Sequence, residues 1–456
     1  MDPRRVLVLA LSCLFVGMVG CDAGSRGGSP GEPVEGSLGG DSGQSTAELA
    51  KLRAVQEEAT EIAPGIFQVL GTGNTHVVVT DDGHVVLDTG LPEDAKVARR
   101  LLAGVADGPA SHIVVTHAHA DHYGGADAWM GDETELIAHR EFVESQEYLT
   151  LLAPYMMRRN KIFFPEDVPD LPDVVTSMAM RLFYPNVEPT VLFEDRHAFE
   201  VGGREFVALH TPGAEGSDSV SIWMPEEKIL FTGDFFGPLF PMWPNLNTLR
   251  GEKIRQALPY IRSLDAVLEL EPEMVVPSHF PPIRGKEKIR EAVQRMRDAV
   301  QYVHDETVAG MNSGKDIYQL MNEIRLPAHL DLSEGHGKVD WGVRAIWEGY
   351  TGWFGFESTT ELYPVPRSSV YPELAKLAGG AGALAASART ELEAGRPVEA
   401  LHLLDIAVGA EPGHRGALEV RRAALEELQR RSGGENHFEV YWLRDRIAAT
   451  DEALGK

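Results

Sequence analysis

Thr116-His117-Ala118-His119-Ala120-Asp121-His122 packs four potential metal ligands into six residues. The run follows directly on Ile113-Val114-Val115, an apolar stretch of buried-strand type, so it opens a loop at a strand end. Alternation along an extended chain lets His117 and His119 point the same way, while Ala118 and Ala120 take little space. Asp121 and His122 then turn toward a second ion. Neutral imidazole and carboxylate suit zinc, and open coordination positions leave room for water. The bland alternative is a chance cluster of three structural histidines and an aspartate, and the density of the run argues against it.

The elements around this run read as a layered α/β domain. Short β-type runs occur at Ile66-Phe67-Gln68-Val69, His76-Val77-Val78-Val79 and Val85-Val86-Leu87. Asp81-Asp82-Gly83 between the last two reads as a hairpin turn. A helix is expected from Glu93 to Val105, and strands and helices alternate to about Pro282. Beyond Lys286 the pattern becomes largely helical. From Ala386 to Leu428 it resembles tetratricopeptide-type hairpins, with breaks at Gly395-Arg396-Pro397 and Glu411-Pro412-Gly413. Fewer than three clear repeats are visible, so a packing or oligomerisation module is expected rather than a repeat array.

The H-x-H-x-D-H run resembles the signature of the metallo-β-lactamase superfamily, and the resemblance extends along the whole α/β part. It implies an αββα sandwich followed by an all-α dimerisation domain. Asp88 matches the early aspartate that orients the metal loop from behind. Asp234 in Thr232-Gly233-Asp234 matches the aspartate that bridges the two metals, and His279 in Pro277-Ser278-His279 matches the last histidine ligand. One position departs from the general pattern. After His210-Thr211-Pro212-Gly213 the chain has Ala214 where most members have a histidine, and Glu215 follows. That carboxylate resembles the alkyl sulfatase branch of the dodecyl-sulfate-hydrolase type, in which a glutamate one place later is the ligand. His210 is then expected to be structural.

More of the chain resembles the same branch. Asn245-Leu246-Asn247-Thr248-Leu249-Arg250-Gly251 is similar to its N-L-x-T-L-R-G segment, and Met157-Arg158-Arg159 to its double-arginine segment. Val339 to Ile346 and Gly349 to Phe354 are similar to the start of its helical dimerisation domain. Trp341, Trp347, Trp353 and Phe354 are read as core and subunit packing. Ile162, Phe163 and Phe164 stand where the branch has tyrosines, Ser219 where it has a second glutamate, Asp234 where its bridge is glutamate, and Pro244 where a histidine often precedes the N-L segment. The usual third, sterol-carrier-like domain is expected to be missing, since the sequence stops at Lys456.

The resemblance implies two zinc ions, or another metal with the same ligand taste. His117, His119 and Glu215 would hold one ion, Asp121, His122 and His279 the other, with Asp234 between them. Asp121 and Asp234 thereby serve catalysis, and Arg250 with Asn245 would hold an anionic ester, since the guanidinium fork suits tetrahedral anions. The expected reaction is hydrolysis of an alkyl sulfate ester. The alternatives are hydrolysis of a β-lactam, lactone or phosphoester on the same centre, or a scaffold lipoprotein that keeps the fold without catalysis. A homodimer through the helical half is expected, because amphipathic helices need a partner face.

The first residues read as an export signal. Arg4 and Arg5 precede an apolar run from Val6 to Val19 that is short for a membrane span. Met18-Val19-Gly20-Cys21 resembles a bacterial lipobox, which implies cleavage before Cys21 and lipidation of its thiol. Asp22 to about Glu48 is rich in Gly, Ser and Pro and reads as a tether. The expected product is an exported lipoprotein facing the periplasm or the exterior. Cys13 and Cys21 are the only cysteines, so the mature chain would have neither a disulfide nor a thiolate ligand. A formal charge of −27 over 456 residues disfavours nucleic acid and anionic lipid as partners. The expected division is signal 1–21, tether 22–50, catalytic domain 51–310 and helical domain 311–456.

Overall fold

The computed structural model describes residues 58–165 and 185–456. The expected signal, Cys13, Cys21 and the whole of the expected tether lie outside the described residues. Thirteen strands are described. They are β1 (Thr60–Ala63), β2 (Ile66–Val69), β3 (Thr75–Thr80), β4 (Gly83–Leu87), β5 (His112–Val114), β6 (Glu135–His139) and β7 (Val191–Phe193), then β8 (Arg196–Val201), β9 (Arg204–His210), β10 (Val220–Met224), β11 (Ile229–Gly233), β12 (Met274–Pro277) and β13 (Ile283–Arg284).

The first seven form one sheet in sequence order, antiparallel through β4 and parallel from β4 to β7. The other six form a second sheet in the order β13-β12-β11-β10-β9-β8. Asp81 and Asp82 make the expected tight turn, with Thr80 paired to Gly83 across it.

Period-two alternation explains the layering. On β3 and β4, Val78 and Val85 face the second sheet, where they meet Phe206, Ile222 and Phe231. Val77 and Val86 point the other way, onto Ala95, Ala98 and Leu102. Ala95 and Ala98 lie on the helix Pro92–Leu101 and Leu102 caps its end; the helix begins with proline and carries Glu93 and Asp94 in its first turn. The outer face of the second sheet, with Val207, Leu230 and Val275, is covered by the helices Ala257–Leu270 and Lys286–Asn312. The result is the expected αββα sandwich.

The same outer cluster continues into Leu320, Val339, Val343 and Ile346. The apolar core therefore runs across residue 310, and the helices on either side of it share one interior. The chain then continues through the helices Ala381–Glu393, Pro397–Ala410, Arg415–Arg431 and His437–Ala453, which break at the expected Gly395 and Pro412 turns. The loop from Ser333 to Lys338 is fixed on two sides. Trp243 N donates to Ser333 O at 2.8 Å, while His437 N donates to Gly335 O at 2.9 Å and Asn436 Nδ2 to Glu334 O at 2.7 Å. A Cβ on Gly337 would lie 2.4 Å from Pro244 O. No helix among the described residues is long and apolar enough to cross a membrane.

Candidate metal centre

Five loops at the carboxyl ends of strands converge on one edge of the sandwich, the usual place for a site in α/β sheets. They follow β4 (Asp88), β5 (His117 to His122), β9 (Glu215), β11 (Asp234) and β12 (His279). Asp88 ties three of them together. Its carboxylate accepts from Thr116 N, Thr116 Oγ1 and His122 Nδ1, each at 2.8 Å, and from Ser278 Oγ at 3.2 Å. It is fully buried and sits at φ 54°, a left-handed conformation rare outside glycine. Asp88 thus lies behind the His117–His122 loop, bonded to Thr116 and His122.

The histidines are turned by their far nitrogens. His122 gives Nδ1 to Asp88, so Nε2 faces Asp121 Oδ2 at 3.4 Å and Asp234 Oδ2 at 3.6 Å. His279 donates Nδ1 to Thr72 O at 2.7 Å, leaving Nε2 3.0 Å from Asp234 Oδ2 and 3.8 Å from Asp121 Oδ2. His117 Nε2 lies 2.8 Å from His119 Nδ1, which lies 3.2 Å from Glu215 Oε1. Donor atoms of His117, His119, Glu215 and Asp234 gather within 4.8 Å of one another, and so do those of Asp121, His122 and His279.

The electrostatics are those of a charge-dense pocket. Burial alone would raise the Asp234 carboxyl, but His279 and His122 more than reverse this and hold it well below the usual range. Burial disfavours a charged His122, and Asp121, Asp234 and Asp88 overturn that and raise it well above its usual value. His117, whose burial is reinforced by His122 and His119, is held neutral far below its usual value. Among the described residues, His122 Nε2 and Asp234 Oδ1 are buried without a hydrogen-bond partner. Buried polar atoms are rarely left so, and a cation would satisfy both. The residues therefore fit divalent metal ions.

His210 is absent from both groups. Its Nε2 lies 2.7 Å from Ser217 O, and its ring stacks on His139. Glu215 stands with the histidines instead, held by Arg255 Nη2 at 2.6 Å. Arg250 Nη2 is 3.6 Å from Glu215 Oε1, and Asn245 is buried with no hydrogen-bond partner for its Oδ1 among the described residues.

Several residues of the site carried no signal that the sequence reading used. Arg255 is buried and donates Nη1 to Ala214 O and Asn245 O, both at 3.0 Å, so it joins the Glu215 loop to the Asn245 segment. Asp218 accepts from Ala118 N at 2.9 Å, and its burial pushes its carboxyl up to about 6. Glu252 reaches both His119 and Arg250. Arg159, noted only as part of a motif, donates to the backbone carbonyls of Arg250 and Leu249. Gly251 beside it has φ 85°, and a Cβ there would meet Arg159 Nε at 2.9 Å. A cavity of about 240 Å³ opens beside His119 and Glu215, with Tyr148, Leu149, Ile254 and Pro259 in its wall.

Residues 69–279 match the metallo-beta-lactamase superfamily, and residues 316–446 match the alkyl sulfatase dimerisation family. The chain belongs to the metallo-β-lactamase superfamily. Within it, the chain is 30% identical over 325 residues to a linear primary-alkylsulfatase of Pseudomonas sp., covering 67% of this chain and 60% of that protein. It is 26% identical over 396 residues to an (R)-specific secondary-alkylsulfatase of Pseudomonas sp., covering 81% and 59%. The solved stereoselective inverting sec-alkylsulfatase from Pseudomonas sp. superposes with a TM-score of 0.74 at 25% identity, over 86% of this chain and 66% of that one. The chain thus spans about three fifths of the length of these curated relatives. The metallo-β-lactamase fold and the dimerisation domain are in place as expected.

Proposed function

We propose that the protein hydrolyses sulfate esters of alkyl alcohols with two zinc ions. The observation that carries this reading is Glu215. It supplies a carboxylate where most of the superfamily has a histidine, 3.2 Å from His119 Nδ1 and 3.6 Å from Arg250 Nη2. The names of the relatives support the same substrate class.

His117, His119 and Glu215 would hold one ion, Asp121, His122 and His279 the other, with Asp234 facing both sets. When bound, such a pair supplies Lewis acidity and makes hydroxide accessible from water near neutral pH. The chain's own residues do the rest. Asp88 and Thr72 O fix which nitrogen His122 and His279 present. Arg250 offers N–H donors to the ester anion and offsets its charge. Asn245, whose side chain keeps hydrogen-bonding capacity, would share that anion. Arg255 ties the Ala214 and Asn245 carbonyls together and holds the Glu215 carboxylate.

The deciding experiment is a screen of metal-reconstituted full chain on alkyl sulfates, a phosphomonoester, a lactone and a β-lactam. Turnover of the sulfates alone is expected. Good turnover of lactone or β-lactam with every sulfate untouched would overturn the reading, and an inert protein without metal would point to the scaffold. The reading extends to the cell. Lipid on Cys21 would tether the exported enzyme to a membrane, and the helical half would pair two copies.

A further inference from the structure

We propose that Glu252 is a positioning residue that selects which nitrogen of His119 faces the metal-holding cluster and seats Arg250 beside it. The inference rests only on the metal-holding part of the proposed function, not on the substrate.

His119 presents Nδ1 to the cluster, 2.8 Å from His117 Nε2 and 3.2 Å from Glu215 Oε1. A neutral imidazole carries one hydrogen, so Nδ1 is a free lone pair only when Nε2 holds that hydrogen. Two groups compete for Nε2. Glu252 Oε1 lies 3.4 Å away and can only accept, which places the hydrogen on Nε2. Arg250 Nη2 lies 3.4 Å away and can only donate, which would place the hydrogen on Nδ1 and aim it into the cluster. Glu252 settles the contest twice over. It offers Nε2 an acceptor oxygen, and it engages Arg250 through Nε at 2.6 Å.

The arrangement closes on itself. Glu252 Oε2 accepts from Arg255 Nη2 at 2.9 Å, and the same Nη2 lies 2.6 Å from Glu215 Oε1. Two carboxylates alternate with two guanidiniums around one histidine, and all are largely removed from solvent. A merely structural salt bridge would have no need to reach the far nitrogen of the one histidine whose near nitrogen faces Glu215.

The test measures zinc affinity of metal-stripped full chain by competition with a chromogenic chelator, with no substrate present. Glu252→Ala is expected to weaken binding about ten- to hundredfold, the usual cost of losing a partner behind a metal-bound histidine. Glu252→Gln should recover most of that loss, because its amide oxygen still accepts from Nε2. Adding Arg250→Ala to Glu252→Ala should also recover part, since the competing donor is gone. Melting of the metal-free variants reports structure separately. The proposal is overturned if Glu252→Ala binds zinc within twofold of wild type. It is equally overturned if the Ala and Gln variants lose affinity alike while their metal-free melting points fall together. Since the readout is metal alone, failure here leaves the sulfate-ester reading standing, and failure of that reading leaves this one.

Discussion

The imidazoles of His139 and His210 lie face to face, 3.7 Å between ring centroids and 9° from parallel. A proton on His139 is disfavoured by its burial and by the second imidazole beside it. Burial, then His210, depresses His139 to about 4, although Glu141 opposes the shift. A group depressed in the folded state is protonated first in the unfolded chain, so its stabilising effect is complete above the ordinary histidine range near 6.5. The stability should therefore fall as pH drops from about 6.5 toward about 4, by at most about 1.4 kcal/mol per pH unit for this one proton. Melting points across that range should decline in the wild type, and His139→Phe should flatten the decline. His76, also held near 4 by burial, keeps some slope in the variant. An unchanged slope would dismiss the stack as its source.

The same stack bears on the choice between Glu215 and His210. Glu215→Ala should cut bound metal toward one ion per chain and lower turnover at least a hundredfold. His210→Ala should keep its metal and lose chiefly stability. Metal analysis of both proteins decides, and the reverse order would place His210 among the ligands.

Arg250→Ala should reduce kcat/KM for alkyl sulfates about ten- to a hundredfold, matching the roughly 1.5–3 kcal/mol carried by a hydrogen bond to a charged group. Turnover of a neutral ester should change far less. Arg159→Met, which removes the bonds to Leu249 and Arg250 carbonyls, should produce a weaker effect with the same preference. Equal losses on charged and neutral substrates would leave Arg250 without a role in anion binding.

Trp353, Phe356 and Leu377 are 76, 86 and 76% exposed, within the stretch that matches the dimerisation family. A second copy of the chain is the expected cover. Light scattering on protein lacking residues 1–21 should give twice the chain mass at micromolar concentration. Replacing all three residues by serine should give a monomer. A wild-type monomer would contradict the pairing.

Cys21→Ser should leave the precursor unprocessed or release the protein from membranes. Fractionation with mass measurement of the N-terminus reads both outcomes. Normal processing with firm membrane association would exclude lipid at this position.

The sequence made the site legible where chemistry is compressed into few residues. His117 to His122 could be picked out from their density after a buried strand, while Asp88, Asp234 and His279 were legible through the family resemblance of their short strand-end motifs. Glu215 was found by a vacancy in a pattern. Arg255, Asp218 and Glu252 were not, because each acts on a residue distant in the chain and an isolated charge on a loop looks the same whether exposed or buried. The alternation of strands and helices marked a layered α/β domain and the resemblance implied its two sheets, yet neither could show that Val339 and Val343 share one continuous interior with Val300 and Leu264. That depends on which apolar stripes meet, and a stripe does not name its partner.

The contact of Gly337 with Pro244 sets a limit on exchange between relatives. The Ser333–Lys338 loop has no spare volume against the backbone that leads into Asn245, and it is bolted to Asn436 and His437 on its other side. Three stretches far apart in sequence must therefore change together or not at all. A chimera that took the sandwich from one relative and the helices from another would misfit at this seam first. Its failure would show at Asn245 and the segment that follows it before the rest of the protein lost its shape.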